Sequence, residues 1–384
     1  MTVSTTLPHR ARRQQHATRA AFLLPGFAMA AWAPLVPFAR TRTGLDEGTL
    51  GLALLCLGAG SLLAMPLAGA AAARQGCRVV MVTTLLMAFA ALPLLTLSHS
   101  AWLLGAVLFV FGAGIGACDC VMNLQAVIVE RDAKRPMMSG FHAWYSIGGA
   151  LGAATMTGLL MVGLTPWQAA GLLAVLMLGV LALAAPHWRV DRAPGDAPVF
   201  AMPRGIVLLI GALCFVAFLG EGVMLDWSAV FLHDVRGIEV GQAGLGFFAF
   251  SVAMTVTRLL GDAVVARLGA QRAILLGALV GAGGFGLLLL GHGLPVALAG
   301  CVLIGMGCAN LVPVLFSLAG RQTAMPERLA IPAVTTFGYA GVLAGPALVG
   351  FGAQASSLAW ALALVASALL LVGVAARWVR LPAS

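Results

Sequence analysis

Asp119 stands inside an apolar stretch that begins near Ala101, and Asn123 follows it four residues later. An ionisable group at membrane depth is costly enough to be read first as functional. In a helix, Gly112, Gly116, Asp119 and Asn123 are spaced by four, three and four residues and share one face. That face is small, polar and acidic, and it is expected to look into a water-accessible cavity between helices. Glu130 is about 11 residues further on, which places Asp119 roughly 16 Å deeper at 1.5 Å per residue. A carboxyl group that is neutral when dry and charged when wet suits a proton-coupled carrier whose site faces each side in turn.

Other groups compete for the same chemistry. Glu221 lies deep in an apolar run and is an alternative proton carrier. Asp226 is five residues beyond it, about 140° round a helix, so the two do not form one paired-carboxylate site. With Trp227, Asp226 is expected at an outer gate or the interface. His142 shares a face with Ser146 and Gly149 and is either a proton relay near Asp119 or a structural donor. Asn310 precedes Pro313; it either contacts solute or bonds the carbonyl that the proline frees. Trp32, Tyr145 and Tyr339 are candidates to stack on a flat solute, with packing as the alternative. The seven His and seven Cys residues contain no His-x-x-x-His or Cys-x-x-Cys pair, so no metal site is expected. Gly112-x-Gly114-x-Gly116 has no strand-to-helix turn around it and is not read as a nucleotide loop. No cofactor is expected, and the chain is not read as an enzyme.

These groups need helices in a bilayer to hold them. Of the 384 residues 61% are hydrophobic and 9% charged, and the mean hydropathy is +1.01, outside the range of soluble domains. Apolar runs long enough to cross about 30 Å of hydrocarbon recur twelve times, near 20–39, 48–72, 78–97, 101–129, 139–163, 167–187, 205–232, 241–262, 272–291, 294–319, 329–353 and 356–377. With the N-terminus inside, all but three (Arg40, Arg42, Arg236) of the 22 basic residues fall on the cytoplasmic side. That is the positive-inside pattern, so the excess charge reports topology and anionic lipid rather than nucleic acid. Both termini are expected in the cytoplasm. The Arg-rich head and the run from Ala20 also resemble a signal peptide, but removing them would leave eleven spans. The cysteines read as small buried hydrophobes.

A shift of 193 residues superposes Arg74-x-Gly76 on Arg267-x-Gly269, Gly112 and Gly114 on Gly305 and Gly307, and Gly148 and Gly152 on Gly341 and Gly345. One constant offset across three segments points to duplication. The expected organisation is an all-α membrane protein of twelve transmembrane helices in two pseudo-symmetric six-helix halves. It comprises a cytoplasmic tail (1–19), one bundle (20–187), a Pro- and Gly-containing linker (188–204) and a second bundle (205–384).

Two six-helix halves, each with a Gly-and-Arg loop after its second helix, resemble the major facilitator superfamily. Its loop signature is matched by Gly69, Arg74, Gly76 and Arg78, with Ala73 at the acidic place. The second half keeps Arg267, Gly269 and Arg272, with Asp262 displaced; Arg258 and Asp262, four apart, either supply the gating contact or are topology signal. Within the superfamily, Asp119, Asn123 and the run Trp144 to Gly148 resemble the fucose permease branch, whose acid is Glu. Glu221-Gly-Val-Met-Leu-Asp226-Trp227 resembles uncharacterised bacterial inner-membrane members. The resemblance implies proton coupling through Asp119 and a solute or supporting contact by Asn123. Phe22 to Phe38 has no counterpart to that permease's first-helix carboxylate, so sugar specificity does not carry over.

The function expected is a secondary transporter of the bacterial inner membrane, a monomer, moving a small polar solute such as a sugar by proton symport. Proton-coupled efflux of amphipathic drug-like compounds is the alternative.

Overall fold

The computed structural model describes residues 7–133, 137–190, 203–325 and 327–379, except for the side chains of 7–10, 131, 138, 139, 262, 327–329, 331, 332 and 335. Most of the expected linker, 191–202, therefore lies outside the described residues. The helices are α1 (Leu7–Trp32), α2 (Val36–Thr43), α3 (Glu47–Gln75), α4 (Cys77–Leu95), α5 (Ala101–Ala133), α6 (Met138–Met161) and α7 (Pro166–Ala184). They continue as α8 (Ile206–Val230), α9 (Leu245–Leu259), α10 (Gly261–Leu268), α11 (Ala270–Leu290), α12 (Leu294–Cys308), α13 (Leu311–Arg321), α14 (Glu327–Ala355) and α15 (Leu358–Ala375).

Every expected span is helical, and among the described residues ten helical segments are long and apolar enough to cross a bilayer. α6 has the length, at 24 residues, but carries Trp144, Tyr145, Ser146 and several glycines. Three spans expected to be continuous are broken. The first divides into α1 and α2 at a 3-10 turn, Ala33–Leu35, which contains Pro34. The eighth divides at Leu260 into α9 and α10, and the tenth at Ala309 and Asn310 into α12 and α13. α1 also begins well inside the stretch expected to be tail, because Arg, Gln and Ala are good helix formers and nothing breaks them.

The chain forms two compact units: residues up to Leu35 with Cys56–Asp196, and Val36–Leu55 with the residues from Ala197 onward. In the first, α1 packs against α6, and α4 against α5 and α7. In the second, α8 packs against α14, α11 against α12 and α15, and α9 against α12.

The repeat seen in the sequence recurs as geometry inside each unit. A Cβ on Gly148 would collide with the Leu23 carbonyl of α1, and one on Gly341 with the Phe215 carbonyl of α8. Likewise Gly112 abuts the Leu57 carbonyl and Gly305 the Phe250 carbonyl. Each pair repeats at the offset of 193, give or take one residue, so both units use the same backbone-to-backbone approaches. Without a hydrophobic drive between helices in lipid, such close contacts supply the packing energy. Gly76 and Gly269 likewise share one conformation, φ 86° and 77°, at the start of the following helix.

Replacing Gly148 or Gly341 by Leu should cost about 1–3 kcal/mol through overpacking. The same change at Gly283, which has nothing near its added Cβ, should be tolerated, as read from thermal unfolding midpoints in detergent.

Candidate functional site

In the second unit the two helix breaks meet at one arginine. Pro313 has no N–H and its ring crowds the carbonyl four residues earlier, which is Ala309. That carbonyl would be an orphan in a dry span, but Arg258, on the last turn of α9, donates to it from Nε at 3.1 Å. The same guanidinium reaches Glu221 of α8, Nη2 to Oε1 at 3.4 Å. Arg258 therefore caps the α12 break and neutralises a carboxylate. Sequence reasoning offered Asn310 as the partner of the freed carbonyl; Arg258 holds that place. The Asn310 side chain instead lies against Gly261, where only a glycine leaves room. Arg258 was also expected to meet Asp262, whose side chain is outside the described residues.

Around this pair the side chains are mixed polar and aromatic. Phe218, one turn before Glu221 on α8, stacks on Tyr339 of α14 with centroids 6.0 Å apart and 17° between planes. Glu221 has 19% of its side chain exposed, Arg258 and Tyr339 about a third. The cluster thus offers a carboxylate, a guanidinium edge, an amide and a ring face. Phe218 escaped sequence reasoning; its signal was the three-residue spacing to Glu221.

The first unit is built differently. The glycine end of the Asp119 face does not line open space: Gly112 and Gly116 are pressed against Leu57 and Ser61 of α3, and the Ser61 hydroxyl donates to the Gly112 carbonyl at 2.8 Å. Only the polar end is half-exposed. There the Asn123 amide donates to the Asp119 main-chain carbonyl at 2.8 Å, one turn back. Tyr145 and the Cys118 thiol are within electrostatic reach of the Asp119 carboxylate. His142 is exposed near the start of α6, its ring edge-on to Phe22 at 5.1 Å. Trp32 is wholly buried, and its Nε1 has no hydrogen-bond partner among the described residues.

The residues expected to gate divide into two groups. Arg74 and Arg267 are exposed, each two residues before its positive-φ glycine, Gly76 or Gly269. Since Ala73 offers no acid, the tie in the first unit is made elsewhere. The Arg78 guanidinium donates to the Pro186 carbonyl and its N–H to the Arg189 carbonyl at 3.0 Å, while Arg189 pairs with Asp132 at 2.9 Å. Asp226 and Trp227 are buried in α8. Sequence reasoning missed a second cluster, Arg40 with Glu47 and Asp234. Its signal was that Arg40 is one of only three basic residues expected outside.

Arg258→Ala leaves Glu221 and the Ala309 carbonyl without their partner and should lower stability by about 1–3 kcal/mol, moderated by the exposure of Arg258. In a cycle with Glu221→Gln the two losses should be non-additive by about 0.5 kcal/mol or more, measured as unfolding midpoints.

The profile of the Major Facilitator Superfamily matches residues 20–331. An uncharacterised MFS-type transporter of Yersinia pestis is 49% identical over 366 residues, 95% of each chain. An uncharacterised transporter of Sinorhizobium fredii is 34% identical, over 88% of this chain and 91% of its own. Among solved structures, the nucleoside transporter NupG superposes with TM-score 0.77 at 13% identity, over 95% of this chain and 98% of its own. A D-xylose–proton symporter superposes with TM-score 0.69 at 14% identity, over 94% and 96%. The chain belongs to the Major Facilitator Superfamily: it is a multi-pass membrane transporter with that family's twelve-helix fold.

Proposed function

We propose that the protein is a proton-coupled carrier that moves a small polar solute by alternating access, with bundles 20–187 and 205–384 as its moving parts. In this reading both termini face the cytoplasm, and Arg40 and Asp234 face outward. The observation that carries it is the Glu221–Arg258 pair at two opposed helix breaks. Interrupted helices whose free carbonyls and polar side chains meet within a span are where secondary transporters build ion and solute sites.

Asp119 is proposed as the coupling acid of the first unit. It is half-buried within a membrane-spanning helix, so a modest change in packing would take its carboxyl from shielded to wet. Glu221 already has a fixed counter-charge in Arg258, which suits it better to holding solute than to trading a proton. Asn123, with its amide turned onto its own helix, is proposed to shape the Asp119 turn and to contact solute through its remaining hydrogen-bonding groups. Phe218 and Tyr339 supply the stacking surface, and Asn310 a polar contact at the break. The mixed lining of charge, amide and ring favours a polar solute over an amphipathic drug-like one.

The test is a panel of sugars, polyols and nucleosides in a thermal-shift assay on purified protein at several pH values. A ligand should stabilise the wild type with a pH-dependent shift, by about 2.7 kcal/mol at a hundredfold excess over Kd. In Asp119→Asn the ligand should still bind, but the pH dependence should disappear. An identical pH dependence in the variant would remove Asp119 from the coupling role.

A further inference from the structure

α8 ends in a row of polar side chains that nothing among the described residues satisfies. Asp226, Trp227 and Ser228 are 5%, 0% and 2% exposed. The Trp227 Nε1 and the Ser228 Oγ have no hydrogen-bond partner, and Asp226 has neither hydrogen bond nor ion pair among the described residues. Burial is continuous from Gly222 to Leu232. An unsatisfied buried polar group costs about 1–3 kcal/mol, and a carboxylate more. Three in succession need a reason, and a second conformation in which they are wet supplies one.

Of the elements packed against α8, α14, α15 and α2 among them, α2 is tied by an ion pair to its far end. Immediately beyond the row α8 widens into a π-helical turn, Phe231–Val235, which carries Asp234; such turns recur at functional sites. Counting back about two turns from Asp234 along one side of the helix reaches Trp227 and Asp226. α2 packs against α8 and is fastened there by Arg40. Its guanidinium pairs with Asp234 and, at 2.6 Å, with Glu47, and its Nε donates to the Leu45 carbonyl at 3.2 Å.

The start of α3 continues the closure. Gly51 meets Gly350 of α14 backbone to backbone, and Gln354 donates to Asp46 at 3.4 Å. The Thr49 N–H, then its hydroxyl, hold the Asp46 carboxyl below the usual carboxylate range. A cavity of about 710 Å³ adjoins, lined among others by Arg40, Glu47, Asp234 and Gln354. Of the other charged groups, His233 meets the Ile238 carbonyl through Nδ1 and also faces Asp234 through Nε2 at 3.9 Å, Arg236 donates to the Leu288 carbonyl, and Arg258 is paired with Glu221. The 3-10 turn Ala33–Leu35, with Pro34, is a ready hinge ahead of α2.

We infer that Val36–Thr43 is a lid latched by Arg40, and that Asp226 beneath it is a solute-contacting carboxylate of the opposite conformation, accepting hydroxyl or amine hydrogens once the lid has left. This rests on the carrier reading above and adds to it a gate and a residue.

Single-cysteine proteins test it in intact cells with a membrane-impermeant methanethiosulfonate. Asp226→Cys and Val230→Cys, the latter one turn before Asp234 and 0% exposed, are the reporters; native Cys214, on the same helix and 0% exposed, is the control. Arg40→Ala should speed labelling at both reporters by about tenfold, as a shifted lid population requires, and leave Cys214 unchanged. Arg40→Lys, which keeps the charge, should give a smaller rise. Val230→Cys is a mild change in volume and serves alone if Asp226→Cys does not fold. Labelling that stays at the Cys214 level with or without Arg40 overturns the lid. Asn123→Cys on α5 then separates the two readings: if it reacts, the carrier stands without the lid; if it too is silent, the carrier reading fails with it.

Discussion

Arg258 is the charge on which the second unit depends. A span that contains a proline loses one backbone hydrogen bond, and in hydrocarbon no water replaces it. Here the carbonyl released by Pro313 is taken by the Arg258 Nε. That solution imports a positive charge, which Glu221 offsets. Each element therefore requires the next: the break needs the guanidinium, the guanidinium needs the carboxylate, and the carboxylate fixes which face of α8 turns to α9. A structural defect and a polar site arise together from one residue, Pro313.

The two units share a scaffold but not a chemistry. Their close backbone approaches recur to within one residue, as Gly148 on Leu23 and Gly341 on Phe215 illustrate. The acids within their spans do not recur, although Arg74 and Arg267 do: the residue 193 positions after Asp119 is Val312, and the one 193 before Glu221 is Ala28. Duplication thus preserved what packs helices in lipid and left the polar groups free to diverge. The inner tie follows the same logic. With Ala73 in place of the loop acid, Arg78 turns to main-chain carbonyls and Arg189 to Asp132.

Much of this was legible before any coordinates. The twelve apolar runs, the Gly-and-Arg loops and the offset of 193 gave the fold, because length, hydropathy and glycine spacing are properties of the chain itself. The breaks at Leu260 and Ala309 were not legible as breaks, since Arg258, Asp262 and Asn310 beside them read as polar groups within otherwise apolar runs; Pro313 alone hinted at the second. The partner of the freed carbonyl came from a helix some fifty residues earlier, a distance at which no local rule operates. The face of Asp119 was read correctly as a face, but its glycines serve close contact with α3 rather than an open cavity. The Arg40 cluster was visible only as an exception to the charge rule, and Asp226 only as an acid. That Asp226 lacks a partner among the described residues is a fact of packing.

The central claim is that an acid within the spans trades a proton as its surroundings alternate between wet and dry. Proton movement measured with a pH-sensitive dye inside proteoliposomes, during uptake of a solute that stabilises the protein, addresses it most directly. The account predicts that protons move with solute in fixed proportion, and that Asp119→Asn keeps solute exchange but abolishes the accompanying proton flux. Solute uptake with no proton movement in the wild type, or an unchanged flux in the variant, would contradict it.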